Sequence, residues 1–116
     1  MPVYWVSSYY VKPEKAADYQ KWLNSQQARQ LFKRFERETG FKYLNTYVPI
    51  LGFGDYDAED WYVAPDWTAF DKLRASKAGE EWVAKTWDLL DQTRAAKSRA
   101  MRTAQEVKVF GPPKKK

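Results

Sequence analysis

An α+β domain with the element order β-α-β-β-α-β is the expectation this chain sets. It rests on a run of β-branched and aromatic residues from Val3 to Val11, on a helical pattern that Pro13 opens and Gly40 closes, and on two further strand-like runs followed by more helix. With 116 residues the chain makes one domain, large enough to bury a core without disulfide or metal staples. That domain is expected over residues 1–111, followed by a basic tail at 112–116 that includes Lys114, Lys115 and Lys116.

The first strand, Val3 to Val11, ends at Lys12-Pro13, because Pro cannot extend a central strand but suits the first turn of a helix. The helix it opens should run to about Glu38. Its apolar stripe Ala16, Tyr19, Leu23 is displaced around the axis from the later stripe Ala28, Leu31, Phe35. Either the helix bends near Asn24 to Gln27, or its halves meet different neighbours. Phe41 to about Phe53 reads as the second strand, with Pro49 at an edge or bulge, and Asp60 to Ala64 as the third. A short helix then runs through Leu73 with Asp66 as a cap, and a break at Ser76 to Gly79 follows. Apolar residues at helical spacing extend the next helix from Glu80 to about Met101, leaving Gln105 to Phe110 as the fourth strand. This order is the ferredoxin-like split βαβ, an antiparallel four-stranded sheet with its helices on one face.

The first strand wants company on both sides. Val3, Trp5, Ser7, Tyr9 and Val11 share one face, and Tyr4, Val6, Ser8 and Tyr10 share the other. One set fits beneath the helices; the other makes a bare face too apolar for a monomer.

Composition closes off several chemistries. The chain has no Cys and no His, which removes disulfides, thiolate catalysis, thiolate metal sites and histidine-ligated haem. No metal and no cofactor is therefore expected. The acidic group Asp55, Asp57, Glu59 and Asp60 lacks EF-hand spacing and reads as a solvated hairpin tip. Arg94, Lys97, Arg99 and Arg102 read as cations near a helix C-terminus, where the helix dipole favours them. The N-terminal apolar run is too short and strand-like for a signal peptide, and no window reaches membrane-span length, so a soluble cytoplasmic protein with no membrane partner is expected. The net charge of +5 is carried largely by the terminal lysines, and nucleic acid is not an expected partner.

The stretches "VKPEKAADYQKWL" and "ETGFKYLNTYV", a hairpin, and "WTAFDKLRAS" in that order resemble the dimeric α/β-barrel superfamily, in particular its antibiotic-biosynthesis monooxygenase and NIPSNAP-type members. The resemblance implies a homodimer, or a higher oligomer built on one, in which two bare sheets close face to face into a barrel. It further implies that Val3, Trp5, Tyr9 and Val11, with Leu44, Val48 and Ile50, lie under the helices. Tyr4, Val6, Ser8 and Tyr10, Phe41, Tyr43, Asn45 and Tyr47, and Asp60, Tyr62, Glu106 and Lys108 would face the barrel interior. A one-residue slip would invert any of these sets.

On this reading Tyr4, Ser8, Tyr10, Tyr43, Asn45, Tyr47 and Tyr62 wall a cavity for a small hydrophobic or aromatic molecule. Their rings offer faces and their hydroxyls offer orientation. Glu106 and Lys108 are candidate acid–base residues, or else a rim ion pair. Trp67 matches the tryptophan of the cofactor-independent monooxygenases by position, while Val63 and Leu73 stand where those enzymes carry Asn and Tyr; Trp67 alone reads more naturally as a core anchor. The function expected is small-molecule binding in a homodimeric barrel, with monooxygenase-like chemistry as the activity the resemblance implies. A non-enzymatic interaction module and a basic RNA-binding ferredoxin-like domain stay open beside it.

Overall fold

Alternating side chains on the first strand set the architecture. In the computed structural model, which describes residues 2–52 and 54–103, β1 (Val3–Tyr9) is central, paired antiparallel with β3 (Ala58–Ala64) on one side and β4 (Lys97–Met101) on the other. β2 (Lys42–Tyr47) completes the sheet at the far edge of β3, giving the order β2-β3-β1-β4. A 3-10 turn at Pro13–Lys15 leads into α1 (Ala16–Leu23) and α2 (Gln26–Thr39), and α3 (Thr68–Leu73) and α4 (Lys77–Thr86) follow β3. This is the ferredoxin-like α+β fold, one antiparallel sheet carrying helices on one face.

The phase change in the long helical pattern is a break. Asn24 and Ser25 interrupt the helix, and the Ser25 hydroxyl accepts from the Ala28 N–H at 3.1 Å to cap α2. Gly40 ends α2 in the left-handed region (φ 91°), which only glycine enters without strain. The turn places Phe41, fully buried, against Trp5 and Phe70 at ring-centroid distances of 5.2 and 4.9 Å.

The helix expected from Glu80 to Met101 is corrected. It begins earlier, at Lys77, where Ser76 caps it through the Gly79 N–H, and it ends at Thr86. Beyond Thr86 the backbone leaves the helix to join the end of β1: Lys12 N–H donates to the Leu89 carbonyl at 3.1 Å and Asp91 N–H to the Tyr10 carbonyl at 2.9 Å. Asp91 then caps a turn through the Thr93 N–H, and the chain returns as β4. Arg94, Lys97 and Arg99 therefore lie on a turn and a strand, not at a helix end. Arg94 stacks on the Tyr10 ring at 3.7 Å and pairs with Asp57 and Asp91. The fourth strand expected at 105–110, with Glu106 and Lys108, and the tail at 112–116 lie outside the described residues.

Face assignments on β1 hold: Trp5 and Tyr9 lie beneath the helices. Those on β2 are corrected. A bulge between Tyr43 and Asn45 changes the register against β3, from Tyr43 opposite Tyr62 to Asn45 opposite Trp61. Phe41 and Tyr43, before the bulge, face the helices, with Tyr43 stacked flat on Phe32 at 3.7 Å. Asn45 and Tyr47, after it, share the opposite face with Glu59 and Trp61. Leu44, Val48 and Ile50, expected under the helices, are exposed. Asp60 and Tyr62 also lie on the helix side and not toward a barrel interior, because β3 pairs in register with Ser7 and Trp5 of β1.

Truncating Phe41 to Ala is expected to lower stability by about 3–5 kcal/mol, as for a buried aromatic. Ile50→Ala, on the exposed hairpin, should change it by less than about 0.5 kcal/mol. Urea midpoints of the two variants check this assignment of faces.

Candidate functional site

Asp60 is a charged residue in the interior of a sheet, 2% exposed, and three strands supply its partners. Its Oδ1 accepts from the Tyr9 hydroxyl on β1 at 2.6 Å and from the Thr46 hydroxyl on β2 at 2.7 Å. Each donor has a donor behind it. Since Tyr9 and Thr46 spend their single protons on Asp60, the Tyr19 hydroxyl of α1 donates to Tyr9 and the Tyr43 hydroxyl donates to Thr46. Two chains of hydroxyls thus converge on one oxygen. Oδ2 has much less: the Tyr62 hydroxyl at 3.4 Å, at the limit of a hydrogen bond.

The electrostatics follow from burial. Removal from water disfavours the ionised carboxylate and pushes Asp60 up to about 6, against which the hydroxyl donors pull it down. Burial also raises Tyr9, Tyr19, Tyr43 and Tyr62, and the nearby Asp60 charge raises them further, so all four stay neutral. No Lys or Arg among the described residues forms an ion pair with Asp60.

Asp60 lies on the wall of a cavity of about 550 Å³ between the sheet and the helices. The sheet contributes Trp5, Tyr9 and Tyr62 to its lining. Leu31, Phe32 and Phe35 of α2 and Trp82 of α4 supply the opposing apolar surface. Arg74, Glu80, Val83 and Ala96 line it as well and are exposed, so they form its solvent-facing rim. This is the composition of a small-molecule pocket, mostly apolar and aromatic with few polar groups. Nearby, the Trp22 indole N–H is buried without an acceptor.

The sheet divides the expected site residues between its faces. Tyr62 lines this cavity and Tyr43 belongs to its hydroxyl network. Tyr4, Ser8, Asn45 and Tyr47 lie on the other face. There the Ser8 hydroxyl donates to Glu59 at 2.9 Å, Arg99 pairs with Glu59 at 3.6 Å, and a polar hollow of about 280 Å³ is lined by Ser8, Tyr56, Glu59, Lys97 and Arg99. Tyr10, just beyond β1, packs against Tyr56 and Arg94. Trp67 is 48% exposed at the start of α3, against Phe70 and Arg102, and is no core anchor. Val63 faces away from the cavity opposite Tyr4, whereas Leu73 lines it, so these positions do not converge with Trp67 on one site.

Sequence reasoning passed over Asp60, Tyr9, Tyr19 and Thr46 as a site. The sequence reading places Asp60 in an acidic hairpin tip and, on the resemblance, toward a barrel interior, although an Asp leading into "WYVA" in a strand that packs on both faces is itself a signal. Asp57 and Glu59 are likewise engaged, with Asp57 accepting from the Val11 N–H and Glu59 held by Ser8 and Arg99. Among the described residues no group of three acidic side chains is arranged to hold a metal ion.

No family model matches the chain, and no curated relative does. Solved structures share its fold. A NIPSNAP-like domain protein of Burkholderia xenovorans superposes with a TM-score of 0.63 at 14% identity, over 97% of this chain and 90% of that one. A dimeric protein of unknown function with a ferredoxin-like fold from Bacteroides fragilis gives 0.62 at 2% identity, covering 88% and 96%. A protein of Nitrosomonas europaea, provisionally assigned as an antibiotic biosynthesis monooxygenase, gives 0.59 at 13% identity, covering 89% and 98%. The fold is thus the one the resemblance implied, shared with NIPSNAP-like and monooxygenase-like proteins.

Asp60 makes stability depend on pH in a defined direction. Its folded-state value of about 6 lies above the ordinary 3.8, so the native state holds the proton more tightly than the unfolded chain. Its contribution is fully present below the unfolded value and is lost as pH rises through about 6. Two pK units correspond to about 3 kcal/mol. Between pH 4 and 6.5 the wild type should lose about 2 kcal/mol of that relative to Asp60→Asn, read as the difference in slope of urea midpoints against pH.

Proposed function

We propose that the chain is a homodimeric α/β-barrel protein that binds a small, largely apolar molecule in the cavity between the sheet and the α2 and α4 helices of each protomer. The observation that carries the reading is the aromatic cavity ending on a buried, under-coordinated carboxylate. A core serving packing alone fills such space and keeps its polar groups fully paired. The sequence expectation placed the ligand among tyrosines of the bare face. The buried polar network and the larger apolar cavity favour the helix side, with Tyr43 and Tyr62 retained from that set.

Dimerisation draws support from the face that no described helix covers. Tyr4, Trp61 and Val63 are half-buried there and Tyr47 is exposed, its ring 6.0 Å from Trp61. Tyr4 and Val63 sit opposite each other on neighbouring strands, and Trp61 lies two residues from Val63 on the same face, so the patch is contiguous; Val6, opposite Trp61, is itself fully buried. The dimeric ferredoxin-like neighbour supports the same reading. Monooxygenase-like chemistry draws less support, because Val63 and Leu73 bring no polar atom to a substrate and Trp67 lies outside the cavity lining.

A neutral, environment-sensitive dye such as prodan should bind with a blue-shifted emission at one site per protomer. Gly79→Leu, whose Cβ would lie 3.5 Å from the Phe35 ring at the cavity wall, should weaken that binding at least tenfold while leaving the fold intact. Dye binding unchanged in this variant would place the site elsewhere.

Sedimentation should give twice the chain mass at micromolar concentration, as an interface of this kind buries on the order of 2,000 Å². Trp61→Glu, which puts a charge in the middle of the bare face, should yield monomer or unfolded chain.

A further inference from the structure

We propose that the cavity selects a cationic amine, an ammonium group on an apolar body, with the charge against Asp60 and the body among Trp5, Phe32, Phe35 and Trp82. The proposal rests on the cavity being a binding site and names what that site prefers.

The first argument is the inventory around the carboxylate. Both short hydrogen bonds to Asp60 end on Oδ1, and Oδ2 has only the long contact from Tyr62. An ionised carboxylate has about four lone-pair sites, so Oδ2 retains acceptor capacity. Leaving a buried charge without a counter-charge is costly, and a bound cation removes that cost.

The second argument is the wall. Trp5, Phe32, Phe35, Tyr62 and Trp82 line the cavity together with Asp60, so aromatic rings and a carboxylate border one space. Ring faces attract cations, and more strongly where water is excluded. A carboxylate ligand would meet Asp60 with like charge, and a neutral alcohol would leave that charge uncompensated. The rim carries Arg74 and Glu80, of opposite sign, so discrimination falls to the buried end.

The titratable groups facing Asp60 are Tyr9 from β1, Tyr43 from β2, Tyr62 from β3 and Tyr19 from α1. All are held neutral by burial, so Asp60 alone changes charge there between pH 5 and 8.

Three probes of one shape provide the test: 2-phenylethylamine, 2-phenylethanol and 3-phenylpropanoate, each competing with prodan on the full chain. At pH 7.5 the amine should bind at least tenfold tighter than the alcohol, and the carboxylate weakest. The amine's advantage should shrink at least threefold at pH 5, where Asp60 holds its proton. Asp60→Asn, with its fold checked by circular dichroism, should erase the preference. If that variant does not fold, the ranking of the three probes on the wild type and its pH dependence decide alone. Alcohol or carboxylate binding as well as the amine, or failure of the amine to displace a bound dye, overturns the proposal and leaves the cavity as a site. Failure of prodan itself to bind removes the underlying reading as well.

Discussion

Much of this fold converges on one buried carboxylate. Asp60 on β3 receives hydroxyl protons from Tyr9 on β1 and Thr46 on β2, and Tyr19 on α1 stands behind Tyr9. Three strands and the first helix are thus tied at a single oxygen. An unpaired carboxylate at 2% exposure would be prohibitive, so the hydroxyl chains are a condition of having an Asp there at all. They also fix local geometry. Thr46 reaches Asp60 because the bulge after Tyr43 brings the two into register, and Tyr19 of α1 meets Tyr9 edge-on at 5.9 Å between ring centroids.

The sheet separates two kinds of surface. On the helix side, Trp5 contacts Phe35, Phe41, Tyr62 and Phe70 in one aromatic cluster that leaves a cavity beside Asp60. On the other side, apolar residues of β1 and β3 carry Ser8, Glu59 and Arg99 in an ion-paired group at one end. One strand, β1, serves both surfaces by alternation alone, which is why its sequence carries rings and small hydroxyls on each parity.

The C-terminal half of the structure is organised by the end of β1. The segment after α4 does not continue as helix because its backbone has better partners at Lys12 and Tyr10, and Arg94 adds a cation–π contact with Tyr10 and ion pairs to Asp57 and Asp91. Thr86 already spends its hydroxyl on the Trp82 carbonyl within the helix, as Thr does where helices weaken. The returning chain then closes the sheet as β4 and brings Leu90 and Ala96 to the cavity lining.

Local chemistry in the sequence determined the α+β class, the split βαβ order, the helix start at Pro13, the stop at Gly40, and the face of β1. Each depends on φ restriction, capping or period-two alternation within a few residues, and these act wherever the chain goes. Tertiary structure alone decided the rest. The apolar spacing from Val83 to Ala100 is helical in period, but pairing with residues some eighty positions earlier outweighed it beyond Thr86. The alternation of Phe41, Tyr43, Asn45 and Tyr47 is regular in sequence and split in space, because a bulge costs one register step that no local pattern records. Asp60 reads in sequence both as part of a solvated hairpin tip and as a barrel-facing residue of the third strand; its place beneath the helices follows from the hydroxyls of Tyr9 and Thr46, from two other strands, meeting on its oxygen. That convergence is a property of strand pairing, and strand pairing is not local.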